Sequence, residues 1–91
     1  MNKTELSAEI ARRAGISRRD AEAAVVSMSE IICEKLSQGE KVQIVGFGAF
    51  EIKHRPARKA RNPKTGEEVQ LGERVSPIFK PGKMMKQAVS D

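Results

Sequence analysis

The stretch RPARKARNPKTG, residues 55 to 66, has the clearest chemical character in the sequence. Between Lys53 and Lys64 there are six lysines or arginines, no acidic residue, and no leucine, isoleucine, valine, phenylalanine or methionine. Such a segment cannot enter a core, because it has no large apolar side chain to offset the cost of removing its charges from water. Its cations can replace the small ions around phosphates. The stretch therefore predicts an exposed basic segment that binds a polyanion.

The end of this stretch has the residues of a turn. Asn62 can accept a local hydrogen bond, Pro63 presets φ at the second position, and Gly66 suits a left-handed conformation. Residues 53 to 74, called the arm below, are therefore expected to form two strands joined at a tip. Pro56 would cost no ladder bond if its nitrogen points outward. Ten residues of strand reach about 33 Å, close to the roughly 34 Å of one turn of B-DNA, so the arm could follow a groove.

Two roles are expected within the arm. Its cations would meet phosphates or the floor of the minor groove, and Pro63 is the candidate wedge, because proline is among the residues that enter a base step and kink a duplex. A disordered loop whose charges serve only solubility is the alternative. The turn residues at the tip and the regular flanks exceed what solubility requires.

The charge of the whole chain is unevenly distributed. Of the 91 residues, with a net charge of +5, those up to Glu40 include six basic and seven acidic residues, and those from Lys41 on include eleven basic and five acidic. This excess favours nucleic acid or an anionic membrane surface as partner. A membrane is not expected, because the basic segment has no large apolar residue to insert and no apolar run could span a bilayer. Without a secretory segment, and with the single cysteine Cys33, the protein is expected to be cytoplasmic.

Two helices are predicted before the basic part of the chain. Asn2 with Glu5 indicates a helix start, and the first helix should run from about residue 3 to residue 14. Ser17 with Asp20 indicates a second start, for a helix from about residue 18 to residue 37 that ends at Gly39 as its cap. The apolar arc of this second helix is wide enough to require more than one packing partner.

From Lys41 the hydrophobic period changes to two. The residues GFG, 46 to 48, predict the connection of a β-hairpin, a last strand should run from about residue 75 to residue 80, and a closing helix from about residue 82 to residue 90. We expect a single α+β domain over residues 1 to 91, with a helical dimerisation base at 1 to 40 and a sheet with its arm at 41 to 91. A chain this short, with three phenylalanines and neither tryptophan nor tyrosine, makes a small core, so an obligate dimer is expected.

The motifs GFGAF and RPARKARNPKTGE, together with MNKTEL, GEKVQIVGFGAFE and FKPGK, resemble the HU/IHF family of bacterial DNA-bending, nucleoid-associated proteins, and HU more than IHF. The resemblance implies an intertwined homodimer with a helical base, a β-saddle and two protruding β-ribbon arms. It implies binding and bending of double-stranded DNA with little sequence preference, in the bacterial nucleoid. Bent, nicked or distorted DNA would be preferred, and a heterodimer with a paralogue stays open.

The resemblance also extends to individual residues. By position, the resemblance implies Pro63 as the intercalating residue and DNA contacts at Lys3, Arg55, Arg58, Lys59, Arg61, Lys80, Lys83 and Lys86. Lys53, Asn62 and Lys64, which belong to the basic stretch and its turn, complete the expected DNA-binding set. The resemblance implies interface aromatics at Phe47, Phe50 and Phe79, and the apolar pattern adds Ile32, Leu36 and Ile44 to the expected dimer core. Pro56 and Ala60 stand where relatives more often have alanine and glycine, which could stiffen the arm, and LGERVS, 71 to 76, differs from the usual return strand.

Two other functions stay open on the residues alone. The stretch IARRAGISRRDAEAAV, 10 to 25, has the spacing of a helix-turn-helix in a sequence-specific regulator, although the second helix is longer than a recognition helix needs and its apolar arc would bury the base-reading surface. A basic RNA-binding protein is the other alternative, since a basic ribbon also suits an RNA groove. RNA readers usually offer aromatic side chains for stacking, and the phenylalanines here fit a core pattern better.

An enzyme is not expected, and neither a metal nor a cofactor is predicted. One histidine and one cysteine cannot supply a metal site that needs several such ligands, and the acidic residues show no pairing suited to general acid and base catalysis. His54 is interpreted as an extra donor in the basic run. Cys33 is interpreted as a small apolar residue packed on the second helix.

Overall fold

The computed structural model describes residues 1 to 90 and has an α+β architecture, as expected. The chain divides into two compact units, a helical one at Met1–Gln38 and a second one that begins at Gly39. The elements in chain order are α1 (Lys3–Ala14), α2 (Arg18–Ser37), β1 (Val42–Ile44), β2 (Gly48–Arg55), β3 (Arg58–Arg61), β4 (Glu68–Leu71), β5 (Arg74–Pro81) and α3 (Lys83–Ser90).

The two helices of the first unit begin at the predicted caps. The Asn2 side chain accepts a hydrogen bond from the Glu5 amide at 2.9 Å, and Ser17 Oγ accepts one from the Asp20 amide at 3.0 Å. These side chains satisfy amides that have no partner within the helix. The end of α2 differs from the prediction: the cap is Gln38, whose amide donates to Glu34 O, and Gly39 takes the left-handed conformation one residue later.

Small side chains fill the contact between α1 and α2. Ala21 is fully buried, and Ser7 and Ala11 are buried on α1. The Ser7 hydroxyl donates to Lys3 O at 2.8 Å, so this buried polar group has a partner. Cys33, interpreted as a packed residue, is exposed on α2 in the single chain. The sequence pattern shows helical periodicity, but it does not show which side of the arc a single chain covers.

The second unit contains a three-stranded antiparallel sheet in the order β1-β2-β5. Residues 45 to 47 connect β1 to β2, where Phe47 N donates to Ile44 O at 2.9 Å and Gly46 has a φ of 85°. In the register of the sheet, Phe50 lies opposite Val42 on β1 and opposite Phe79 on β5. The predicted hairpin is therefore present, and the last strand extends one residue beyond its predicted bounds at each end.

The side of the sheet that carries Phe50 and Phe79 is called the apolar face. The ring centroids of these two residues are 4.8 Å apart, and that of Phe47 lies 5.4 Å from that of Phe79. Gly48 is required for this packing, because a Cβ at this position would lie 2.5 Å from Phe79 Cζ and 2.7 Å from Lys80 O. The chain then leaves the sheet at Gly82, whose amide donates to Phe47 O at 2.8 Å, and α3 follows.

None of the helices placed within residues 1 to 90 combines the length and the apolar character that crossing a bilayer requires.

Candidate nucleic-acid interface

The arm keeps the register of the antiparallel ladder between β2 and β5 but forms a separate two-stranded sheet, β3-β4. The last pair of that ladder is Arg55 with Arg74, and the first pair of the β3–β4 ladder is Arg58 with Leu71. Two residues separate these pairs on each strand, so the register passes through without a bulge. Pro56 lies in this break, with Ala57 beside it. Pro56 belongs to neither strand: the ladder stops before the proline, which has no N–H to donate, and resumes at Arg58.

The tip of the arm is closed by the predicted turn. Asn62 Oδ1 accepts a hydrogen bond from the Lys64 amide at 2.9 Å, and the Gly66 amide donates to Asn62 O at 2.7 Å. Gly66 has a φ of 74°, in the left-handed region. The backbone N–H of Asn62 donates to Glu67 O at 2.8 Å, so the register of the ladder continues to the tip. Pro63 is thus held, exposed, in a turn fixed by hydrogen bonds on both sides.

The two strands of the arm differ in charge. The outgoing strand β3 carries Arg58, Lys59 and Arg61, which are all exposed. The return strand and its flanks carry Glu67, Glu68 and Glu73. Arg61 has Glu68 as its Cα partner across the ladder. The arm therefore has a basic outgoing strand and an acidic return strand. The acidic strand lies outside residues 53 to 64, on which the predicted basic segment was based.

The side of the three-stranded sheet opposite the apolar face is called the charged face. Side chains alternate along a strand, so Glu51, Lys53 and Arg55 lie on the side opposite Phe50. The Glu51 carboxylate is one-fifth exposed and binds Lys41 Nζ and Lys80 Nζ, each at 3.0 Å. Hydrogen bonds from these two ammonium groups lower the pKa of Glu51, and the contribution of Lys41 is larger than that of Lys80. Lys80, an expected DNA contact, is therefore already ion-paired in the chain without DNA.

The remaining expected DNA-binding residues lie in three places. Lys83 and Lys86 are exposed on α3. Lys64 is exposed in the turn at the tip of the arm. Lys3 belongs to the helical unit, where its Nζ lies 4.0 Å from Glu22 Oε1. The structure thus gathers the arm and sheet cations in one unit and gives Lys3 an acidic neighbour.

Arg74 is a basic residue that the sequence reasoning did not include. It lies directly opposite Arg55 and shares the charged face with it. The sequence shows that LGERVS, residues 71 to 76, differs from the usual return strand. It does not show that Arg74 pairs with Arg55, nineteen residues earlier in the chain. Only the register brings the two arginines together.

The expected dimer-core residues are unequally covered in the single chain. Ile32 is buried, and Leu36 and Phe50 are half-buried. Ile44, Phe47 and Phe79 are each exposed by more than a third, at 36%, 40% and 37%. A large part of the apolar face therefore meets water when the chain is alone.

Within residues 1 to 90, no group of three or more histidine, cysteine, aspartate or glutamate side chains is placed to hold a metal ion.

A helical unit followed by a sheet with one apolar and one charged face, extended by a basic ribbon, defines a class of small α+β proteins with an exposed cationic arm. The sequence matches the family model described as bacterial DNA-binding protein over residues 1 to 90. The chain belongs to this family.

Named relatives match over nearly their full length. The chain is 51% identical to the DNA-binding protein HU of Geobacillus stearothermophilus over 89 residues, which cover 98% of this chain and 99% of that protein. It is 48% identical to the DNA-binding protein HU 1 of Bacillus subtilis strain 168 over 90 residues, covering 99% and 98%.

Solved structures of HU proteins are also similar to this chain over nearly its full length. An Anabaena HU–DNA cocrystal structure superimposes with a TM-score of 0.89 at 40% identity, covering 99% of this chain and 98% of that one. HU from Thermotoga maritima superimposes with a TM-score of 0.68 at 37% identity, covering 99% and 100%.

Proposed function

We propose that this protein binds and bends double-stranded DNA as an architectural protein of the bacterial nucleoid, with little sequence preference. The observation that carries the proposal is the arm: one ladder register runs from the sheet to a hydrogen-bonded tip, with cations along the outgoing strand and Pro63 at the apex. The structure determined for the Anabaena relative is a complex with DNA. Protein-induced bending without base readout depends on backbone contacts and on the deformability of the duplex.

The cations of the arm and of the charged face act on phosphates. Each phosphate contact releases condensed counterions, so affinity falls with salt in proportion to the number of contacts. If each subunit neutralises four to six phosphates, the slope of log K against log salt for a dimer is about −7 to −11. A measured slope near −2 would contradict this mechanism. The expected contacts are Lys3, Lys53, Arg55, Arg58, Lys59, Arg61, Asn62, Lys64, Lys80, Lys83 and Lys86.

Pro63 acts as the wedge at the tip. The hydrogen bonds of Asn62 fix the turn and therefore the position of the proline ring at the end of the arm. Because this ring has almost no rotamer freedom, ordering it on DNA costs little side-chain entropy. A rigid apolar group that enters a base step unstacks the step and kinks the duplex. Unstacking costs less where DNA is nicked or distorted, which supports the preference for such DNA.

The functional unit is a homodimer with two arms. The described buried apolar residues are Ala11, Ala21 and Ile32, which is a small core for a domain of this length. A second copy can cover the apolar face and the exposed part of α2, where Met28 and Ile31 are open to water. A paralogue with the same apolar pattern could take its place in a heterodimer. The cytoplasmic nucleoid is the location that fits a DNA-binding protein of this family.

The proposal assigns no catalytic role. The named relatives are DNA-binding proteins. A sequence-specific helix-turn-helix function is not favoured, because the family assignment covers the arm and the sheet as well as the two helices. RNA remains a secondary partner, and a structured RNA competitor belongs in every binding assay.

The test compares binding to linear, nicked and four-way DNA at two salt concentrations, with DNA bending followed by fluorescence energy transfer. Pro63→Ala should reduce bending more than affinity at low salt, and Pro56→Ala is its matched control because it removes the other arm proline away from the tip. Arg61→Ala should instead weaken binding and flatten the salt dependence, with Arg12→Ala on α1 as its control. Equal profiles for Pro63→Ala and Arg61→Ala would contradict the division between wedge and clamp.

A further inference from the structure

The end of the β2–β5 ladder places two positive charges face to face. Arg55 and Arg74 are direct Cα partners, and in antiparallel strands such residues share a face with Cβ atoms about 4.5–5.5 Å apart. Like charges in this arrangement repel and weaken the pairing. Within residues 1 to 90 neither arginine forms an ion pair, and both are exposed. The pair therefore disfavours the free fold.

The neighbouring residues on the charged face add positive charge to this pair. The preceding pair on the same face is Lys53 with Ser76, so a third cation and a hydroxyl lie next to the two arginines. The nearest carboxylate along this face, that of Glu51, already binds Lys41 and Lys80. The base of the arm is thus a concentrated cationic site, and Glu73, next to Arg74 in the sequence, forms no ion pair with either arginine among the described residues.

We propose that Arg55 and Arg74 together bind one backbone phosphate of the duplex at the base of the arm, with Lys53 beside them. This site rests on the proposed function and extends it to a residue outside the expected set. Two guanidinium groups can share one phosphate through charge-assisted, bidentate hydrogen bonds. The phosphate removes the repulsion between them, so binding there strengthens the last ladder pair before the break at Pro56.

The relation between stability and binding makes the site testable. Arg74→Ala should raise the temperature of thermal unfolding of the free protein, because it removes the repulsion. It should weaken DNA binding about tenfold per subunit, as expected for one lost charge-assisted hydrogen bond in each arm. The slope of log K against log salt should fall by less than about 0.9 per subunit in Arg74→Ala, because Arg55 still contacts the shared phosphate, and by about 0.9 per subunit when both arginines are replaced. Arg74→Glu, which can pair with Arg55, should stabilise the free protein further and bind DNA more weakly still. Arg12→Ala controls for loss of one arginine elsewhere.

Arg55→Ala and the double variant complete the cycle. If the two arginines hold the same phosphate, the double variant loses less affinity than the product of the two single losses. Wild-type affinity and salt slope in Arg74→Ala would overturn the proposal. So would a fall in both thermal stability and affinity, because that result identifies Arg74 as a structural residue. If these variants fail as predicted while Arg61→Ala and Pro63→Ala behave as expected, this site alone is wrong and the proposed function stands.

Discussion

Replacing Gly48 with alanine tests how the sheet holds its apolar face. The added Cβ would lie 2.5 Å from Phe79 Cζ and 2.7 Å from the backbone oxygen of Lys80. Real Cβ atoms do not approach other atoms so closely, so the strand or the ring must move. Overpacking of this kind costs about 1–3 kcal/mol, and contact with a backbone atom that cannot rotate away places Gly48→Ala near the upper end. The midpoint temperature of thermal unfolding should therefore fall by about 12–24 °C, since each kcal/mol lowers it by about 4–8 °C in a domain of this size.

Thermal unfolding by circular dichroism, at one protein concentration for all variants, measures the effect. Gly72→Ala is the matched control, because a Cβ there meets nothing within 4 Å and its φ is outside the left-handed region. This control should stay within about 0.5 kcal/mol of the wild type. Phe79→Leu combined with Gly48→Ala should recover only part of the loss, since the clash with Lys80 O remains. If Gly48→Ala were as stable as Gly72→Ala, the packing of Phe79 against β2 would be wrong.

Three further results are expected. Glu51→Gln should tighten DNA binding and steepen its salt dependence, because Lys41 and Lys80 lose their anion; unchanged salt dependence in filter binding would contradict this. Pairing lowers the pKa of Glu51, so its contribution to stability is present above the ordinary glutamate range and is lost as pH falls through the lowered pKa; in acid titrations followed by circular dichroism, Glu51→Gln should lack this loss. Ser17→Ala should destabilise the protein by about 1 kcal/mol in denaturant unfolding, because the α2 cap is lost, whereas Ser29→Ala, which removes a hydroxyl within the same helix, should have a smaller effect.

Several elements followed from local sequence signals. The caps at Asn2 and Ser17 set the starts of both helices, because each side chain bonds an amide three residues away. The tip of the arm was equally predictable, since Asn62 and Gly66 act within five residues of each other. Such interactions depend on short stretches of chain and need no distant partner, which is why residue type and spacing were sufficient.

Local sequence signals could not predict which residues pair across neighbouring strands. A strand pattern shows which residues alternate, but not which residue on another strand lies opposite each of them. The pairing of Arg55 with Arg74 depends on the register of β2 with β5, and the binding of two lysines by Glu51 depends on the pairing of β2 with both β1 and β5. Residue types thus specified an exposed basic ribbon, whereas the pairing of its strands with the sheet decided where charges meet, because ladder register is a property of two segments together.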